Sequence, residues 1–310
     1  MKGLVIKNAG SWYTVMADDG TIHTCAAKGT FRLKGIRSTS PVVIGDRVEF
    51  GDGLITAVED RRNCIARKSI NLSKQSHILA ANLDQVMIIV TISHPTTSTT
   101  FIDRFLANAE AYDIPAVLVF NKIDIYGTED TELMEAFVNL YETIGYPCLT
   151  ISAQNGLGMD RLRQMLSGKV TLISGHSGVG KSTIINHLLP GLNLRTAEIS
   201  DAYDTGRHTT TYSEMYQIKP ENENGSNDRT FIIDTPGIKG FGTFDMEKED
   251  IGDYFKEIFR YSADCRFNNC THTHEPGCAV REAVQRHDIS QSRYNSYLSM
   301  IGDEDEDRYR

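Results

Sequence analysis

The chain of 310 residues is long enough for two or three domains, and its 40% hydrophobic and 24% charged residues are those of an ordinary globular protein. No run of about 18 apolar residues occurs, so no membrane span is implied, and the opening MKGLVIKNAGSWYTV reaches Asn8 and Ser11 too early for a secretory signal. The net charge of −9 argues at first sight against a nucleic-acid partner, but residues 1–80 carry 12 Lys and Arg against 7 Asp and Glu, and the remainder 20 against 34. A basic front on an acidic body leaves room for a local phosphate-binding face. Six cysteines, three of them close to histidines near the end, point to a reduced cytoplasmic chain with a metal site rather than a disulfide scaffold.

In chain order, short alternating runs at 4–7, 12–17, 21–26 and 47–50 are separated by turn signals such as Asp18-Asp19-Gly20 and Gly45-Asp46. Five or so such strands predict a small antiparallel barrel over residues 1–65. From about Ala66 the rhythm changes. QVMIIVTI (85–92) and PAVLVF (115–120) are continuous apolar runs, as strands buried on both faces require. Between them Phe101, Ile102, Phe105, Leu106 and Ala109 recur at helical spacing. Further strands are expected at 147–151, 170–174 and 230–233, so residues 66–240 read as strand–helix alternation around a parallel sheet. The polar ENENGSND (221–228) reads as a loop tip between strands. Residues 241–310 hold a helical stretch, a Cys/His cluster, a further helix and the acidic end GDEDEDRYR.

GHSGVGKST (175–183) follows the strand at 170–174 and opens a helical run. Gly175, Gly178 and Gly180 let backbone N–H groups converge on phosphate oxygens, with His176, Ser177, Val179 and Thr183 completing the loop. Lys181 can reach the β- and γ-phosphates, and the Ser182 hydroxyl can ligate Mg2+. NKID (121–124) follows PAVLVF, and there Asp124 can accept from guanine N1–H and the exocyclic amine, which adenine cannot offer. Asn121 would hold neighbouring loops, and the Lys122 stem would lie over the purine. Ser152 and Ala153, at the end of the next strand, complete the guanine contacts through the O6 side. DTPG (234–237) ends the strand at 230–233 and offers Asp234 toward Mg2+ and the Gly237 N–H toward the γ-phosphate. GRHTTT (206–211) lies between, a place for a switch threonine; any of Thr209 to Thr211 fits, and Thr210 is favoured.

The order is unusual. In a Ras-like GTPase the phosphate loop comes first; here the base-reading pieces precede it, as in a circular permutation. The segment after DTPG therefore leads directly into residues 241–310. Ile238 stands where Ras has a water-orienting glutamine, so intrinsic hydrolysis is expected to be slow, with His208 the nearest candidate to position water beside Lys181 and Thr210. Gly178 stands where potassium-activated GTPases have Asn, so that ion is not expected. Cys265, Cys270, His272 and Cys278 fit a closed, structural tetrahedral zinc site, with His274 a spare ligand and a bare thiol cluster the alternative.

Permuted nucleotide motifs, an N-terminal barrel, PVVIGDRV (41–48), GRHTTT and the C-x4-C-x-H-x5-C spacing together resemble the RsgA family, ribosome small subunit-dependent GTPases. The resemblance spans essentially the whole chain. It implies a multidomain α/β protein: an OB-fold barrel, a permuted Ras-like P-loop GTPase domain and a helical zinc-binding domain. It also implies GTP with Mg2+, one structural Zn2+, and the 30S subunit with its 16S rRNA as partner in late maturation. A monomer without membrane or DNA partners is expected. Arg32, Lys34, Arg37, Arg47, Arg61, Arg62, Arg67 and Lys68 could form the RNA-facing surface; the acidic end would turn from rRNA or stay unfolded. The rivals are a non-catalytic GTP-dependent adaptor and a permuted GTPase with a non-ribosomal partner.

Overall fold

Residues 1–27, 41–68, 76–192, 214–219, 229–234, 246 and 249–307 are described by this computed structural model. β1 (Lys2–Ala9), β2 (Trp12–Ala17), β3 (Ile22–Ala27), β4 (Arg47–Gly51) and β5 (Leu54–Val58) pair in the order β1-β2-β3-β5-β4. An antiparallel β1–β4 pairing then closes the ring, with β3 and β5 running parallel. Alternation drives the closure: Tyr13, Val15 and Ala17 of β2 point inward with Val5, Cys25, Val48, Phe50 and Ile55. A closed ring also removes exposed edges from a short-stranded sheet.

β6 (Cys64–Lys68) and β7 (Ser76–Ala81) form a separate antiparallel hairpin that the sequence pattern did not reveal. Next come β8 (Gln85–Val90), β9 (Ala116–Phe120), β10 (Cys148–Thr150), β11 (Val170–Ser174), β12 (Glu214–Ile218) and β13 (Thr230–Asp234). The order β10-β9-β8-β11-β13 is all parallel, and β12 lies antiparallel on β13. β12 in turn pairs with β1, Lys7 opposite Glu214, so barrel and sheet are continuous.

Helices cover both faces of the parallel sheet. Val86, Ile88 and Val90 pack with Phe101, Ile102 and Phe105 of α1 (Thr99–Ala111) and with Tyr141 of α2 (Thr128–Ile144). Met87 and Ile89 face the other way, toward Leu162 of α3 (Met159–Leu166) and Ile184 of α4 (Lys181–Leu188). That double burial is why QVMIIV has no polar alternation after its first residue.

The 41–48 segment of the barrel packs on the end of the β6–β7 hairpin. Ile44 O accepts from Ala81 N at 2.9 Å, and Gly45 O from Asn82 Nδ2 at 2.9 Å. A Cβ on Gly45, at φ +90°, would fall 2.0 Å from Ala81 O, so only glycine allows the approach. Beyond the sheet, α5 (Lys256–Ser262), α6 (Ala279–Gln285) and α7 (Gln291–Asp307) build a third core with Ala107 of α1. Arg293 is 1% exposed and bridges elements: Nη1 donates to Asp103 Oδ1 of α1 at 2.7 Å, and Nε to Glu257 Oε1 of α5 at 2.6 Å. The acidic end is helical as far as Asp307 rather than unfolded.

Candidate functional site

Ligands of open parallel sheets collect at the carboxyl ends of the strands. Four such ends meet here. β11 leads into Gly175, β9 into Asn121, β10 toward Ser152, and β13 ends on the buried Asp234, registered beside Ile173.

Asn121 joins the pieces. Its Nδ2 donates to Val179 O of the phosphate loop at 2.8 Å, and its Oδ1 accepts from Ala153 N at 3.0 Å. One buried side chain therefore braces the 121–124 and 152–153 loops against the Gly-rich loop at 175–180. The fit is close: a Cβ on Gly180, at φ +95°, would lie 2.4 Å from Asn121 Nδ2. Tyr126 supports the same turn, donating to Asn121 O at 2.6 Å while its oxygen accepts from Ile92 N at 2.9 Å. Burial pushes the Tyr126 phenol up to about 12, so it stays protonated and can donate.

Asp124 is already oriented, accepting from Ser152 Oγ at 2.5 Å. That leaves carboxylate oxygen for the two adjacent donors of a guanine edge. Lys122 adopts a left-handed backbone, and its Nζ donates to His94 O at 2.5 Å. Burial lowers its pKa, opposed by Asp124.

In the phosphate loop, Lys181 Nζ folds back to donate to Gly175 O at 2.5 Å and His176 O at 3.0 Å. Burial pulls its pKa down to about 8, against the raising influence of Asp234. An ammonium held by carbonyl dipoles and partly withdrawn from water suits a polyanion. Ser182 and Thr183 fall in the first turn of α4, where unpaired backbone N–H groups add positive potential. His176 stacks on Phe101, ring centroids 3.7 Å apart, which ties the loop to α1. His208, Thr209, Thr210, Thr211, Gly237 and Ile238 lie outside the described residues, as does the 221–228 stretch.

The supporting residues His94 and Tyr126 carry no motif; the one available signal was their position, just after the carboxyl end of β8 and just past NKID, while Phe101 was legible only as part of the apolar face of α1.

The second cluster is in the C-terminal core. The ligand atoms of Cys265, Cys270, His272 and Cys278 all lie within 4.8 Å of one another. His272 Nδ1 is 3.6 Å from Cys265 Sγ and 3.5 Å from Cys278 Sγ, and those sulfurs are 4.0 Å apart. Tetrahedral zinc with bonds of about 2.3 Å to sulfur and 2.0–2.1 Å to nitrogen demands separations of roughly 3.6 and 3.8 Å. The residues fit the metal. His274 is not of this group; its Nδ1 pairs with Thr273 Oγ1 at 2.8 Å.

The chain matches the RsgA GTPase family model over residues 58–244 and the RsgA N-terminal domain model over residues 2–53. The chain belongs to the RsgA GTPase family. A relative from Bacteroides thetaiotaomicron, the small ribosomal subunit biogenesis GTPase RsgA 2, is 59% identical over all of this chain and 99% of its own. The small ribosomal subunit biogenesis GTPase RsgA of Phocaeicola vulgatus is 60% identical with the same coverage. Among solved structures, YjeQ from Thermotoga maritima superposes with a TM-score of 0.77 at 32% identity, covering 97% of each chain. YloQ, described as a circularly permuted GTPase, gives 0.72 at 27% identity over 99% of this chain and 95% of its own. The two family models cover the barrel and the parallel-sheet region, and the matches to solved structures extend over the C-terminal helices as well.

One expectation changes. Arg61 does not join a basic surface: it is buried and paired with Asp46, Nε to Oδ1 at 2.7 Å and Nη2 to Oδ2 at 2.8 Å. Arg62 reaches Leu83 O and Asp84 Oδ1, both at 2.8 Å, tying the barrel's exit to β8, and Arg47 pairs with Asp18 at 2.7 Å. These arginines hold the barrel onto the sheet or pair within it. Arg32, Lys34 and Arg37, and the side chains of Arg67 and Lys68, lie outside the described residues.

Proposed function

We propose that this chain hydrolyses GTP on the small ribosomal subunit during late maturation, with hydrolysis stimulated by the subunit and coupled to release. The observation that carries the reading is the Asn121 bridge, because it makes one pocket of two sequence segments that occur in permuted order. The names of the relatives from Bacteroides thetaiotaomicron and Phocaeicola vulgatus, both small ribosomal subunit biogenesis GTPases, support the choice of partner.

In this reading Asp124 selects guanine, Lys122 covers the purine, and Ser152 and Ala153 complete the base pocket around Asn121. Residues 175–183 cradle the phosphates, with Lys181 turning from its own loop carbonyls to the β- and γ-oxygens. Ser182, Asp234 and Thr210 would hold Mg2+, which neutralises charge developing on the phosphate oxygens. His208 positions water, and the Gly237 N–H meets the γ-phosphate. Cys265, Cys270, His272 and Cys278 hold a structural zinc that shapes the C-terminal lobe. Residues 1–65, 66–240 and 241–310 are taken as the three domains, the first presenting cationic residues to 16S rRNA. Among the described residues no helix is long and apolar enough to cross a membrane; a cytoplasmic monomer fits the role.

The test is GTP turnover by the full chain, alone and with purified 30S subunits. Ile238 offers water no hydrogen bond, so turnover alone should be slow, and subunits should raise it by up to ~10³–10⁵-fold. Turnover that subunits leave unchanged would favour another partner. No turnover under either condition would favour an adaptor that binds GTP without hydrolysing it.

A further inference from the structure

Within the Cys/His lobe, one acidic residue outside the ligand set organises the turn that carries the imidazole. His272 has φ +56°, a left-handed conformation that L residues adopt rarely and keep only where surrounding contacts over-determine it. Those contacts are visible. Glu275 Oε1 accepts from Thr271 N at 2.8 Å and from Thr271 Oγ1 at 2.6 Å. Its Oε2 accepts from Thr273 N at 3.0 Å and His274 N at 3.1 Å. On the opposite side, α7 holds the carbonyls of the same turn: Tyr297 OH donates to Thr271 O and Tyr294 OH to His272 O, both at 2.6 Å. The peptides flanking His272 are thus held from two directions, and Nδ1 stands 3.6 and 3.5 Å from two thiol sulfurs.

We propose that Glu275 is a positioning residue for the metal: its carboxylate folds residues 271–275 into the turn that presents His272 Nδ1 to the zinc. The inference rests on the zinc reading of the cluster. It adds that affinity depends on a residue that never touches the ion, in the way that outer-shell partners orient ligands elsewhere. A purely local role, in which Glu275 only solvates an exposed turn, would leave metal affinity alone.

Glu275→Gln separates the two. The amide is isosteric but keeps one acceptor oxygen, so its NH2 would confront either the Thr271 pair or the Thr273 and His274 N–H groups. Thr271→Ala is milder, deleting one of four donors. Full-length protein stripped of metal would be titrated with Co2+, reading thiolate-to-cobalt absorption, and then with Zn2+ in competition with a chelator. GDP affinity serves as the control for folding of the nucleotide site. Glu275→Gln should weaken metal binding ~10–100-fold with GDP affinity unchanged, and Thr271→Ala should weaken it less. Wild-type metal affinity in Glu275→Gln would overturn the proposal. Should that variant fail to fold, wild-type affinity in Thr271→Ala would overturn it instead. A wild-type chain that takes up neither ion would sink the zinc reading itself, a result distinct from a wild-type chain that binds and a variant that binds equally well.

Discussion

Lys181 donates to two carbonyls of its own loop, and burial sets its pKa near 8. A bound triphosphate surrounds it with negative charge and raises that value, so binding takes up a proton once the free lysine is partly neutral. GTP affinity should therefore hold steady below about pH 7 and fall as pH rises through about 8 toward 10. Calorimetry in buffers of different ionisation enthalpy would register the proton; Lys181→Met should lose the trend, and a flat wild-type profile would contradict the account. Asn121 makes a different prediction. Its alanine variant removes both inter-loop bonds and strands Ala153 N and Val179 O, a loss of about 1–3 kcal/mol. GDP should bind roughly 5- to 150-fold more weakly, measured by fluorescent-nucleotide titration; an unchanged Kd would show that the bridge does not matter.

At the scale of elements, the Gly180 turn at the head of α4 carries the sharpest expectation. Gly180→Ala drives a Cβ toward Asn121 Nδ2 in a backbone conformation alanine avoids, so nucleotide affinity should drop and the thermal unfolding midpoint should fall with it. Equal affinity would contradict it. What the sequence made legible follows from how each element is buried. QVMIIV and PAVLVF announce themselves because both faces of their strands are covered. Glu214–Ile218 does not, since a strand with a polar position at Gln217 and partial exposure resembles a loop. The hairpin β6–β7 is short and lies apart from the main sheet, with no strong period to mark it. At the candidate site, Asp124, Lys181 and the Cys/His cluster stood out in the sequence because the roles proposed for them demand given residue types at given spacings. His94, Tyr126, Glu275, Tyr294 and Tyr297 were not, because their roles come from backbone carbonyls and N–H groups that only folding brings near them.

Across the whole molecule, three cores are joined by a few buried polar links. Arg293 connects α7 to Asp103 on α1 and Glu257 on α5, with its guanidinium 4.5 Å from the Phe255 ring centre. Arg293→Met would leave two carboxylates buried without their cation, a cost of about 3–5 kcal/mol. Thermal unfolding should show the C-terminal lobe melting earlier; a wild-type transition would refute the link. At the barrel, neutralising Arg32, Lys34 and Arg37 should weaken 30S binding and flatten its salt dependence, whereas Arg61→Gln should instead destabilise the barrel, because Asp46 would lose its partner. The account as a whole stands on one nucleotide pocket assembled from segments in permuted order. The most direct measurement is a crystal structure with Mg2+ and a non-hydrolysable GTP analogue. The account predicts guanine against Asp124 with the phosphates inside residues 175–183 and Lys181 turned toward them; a nucleotide bound elsewhere, or a phosphate tail held with the base far from Asp124, would contradict it.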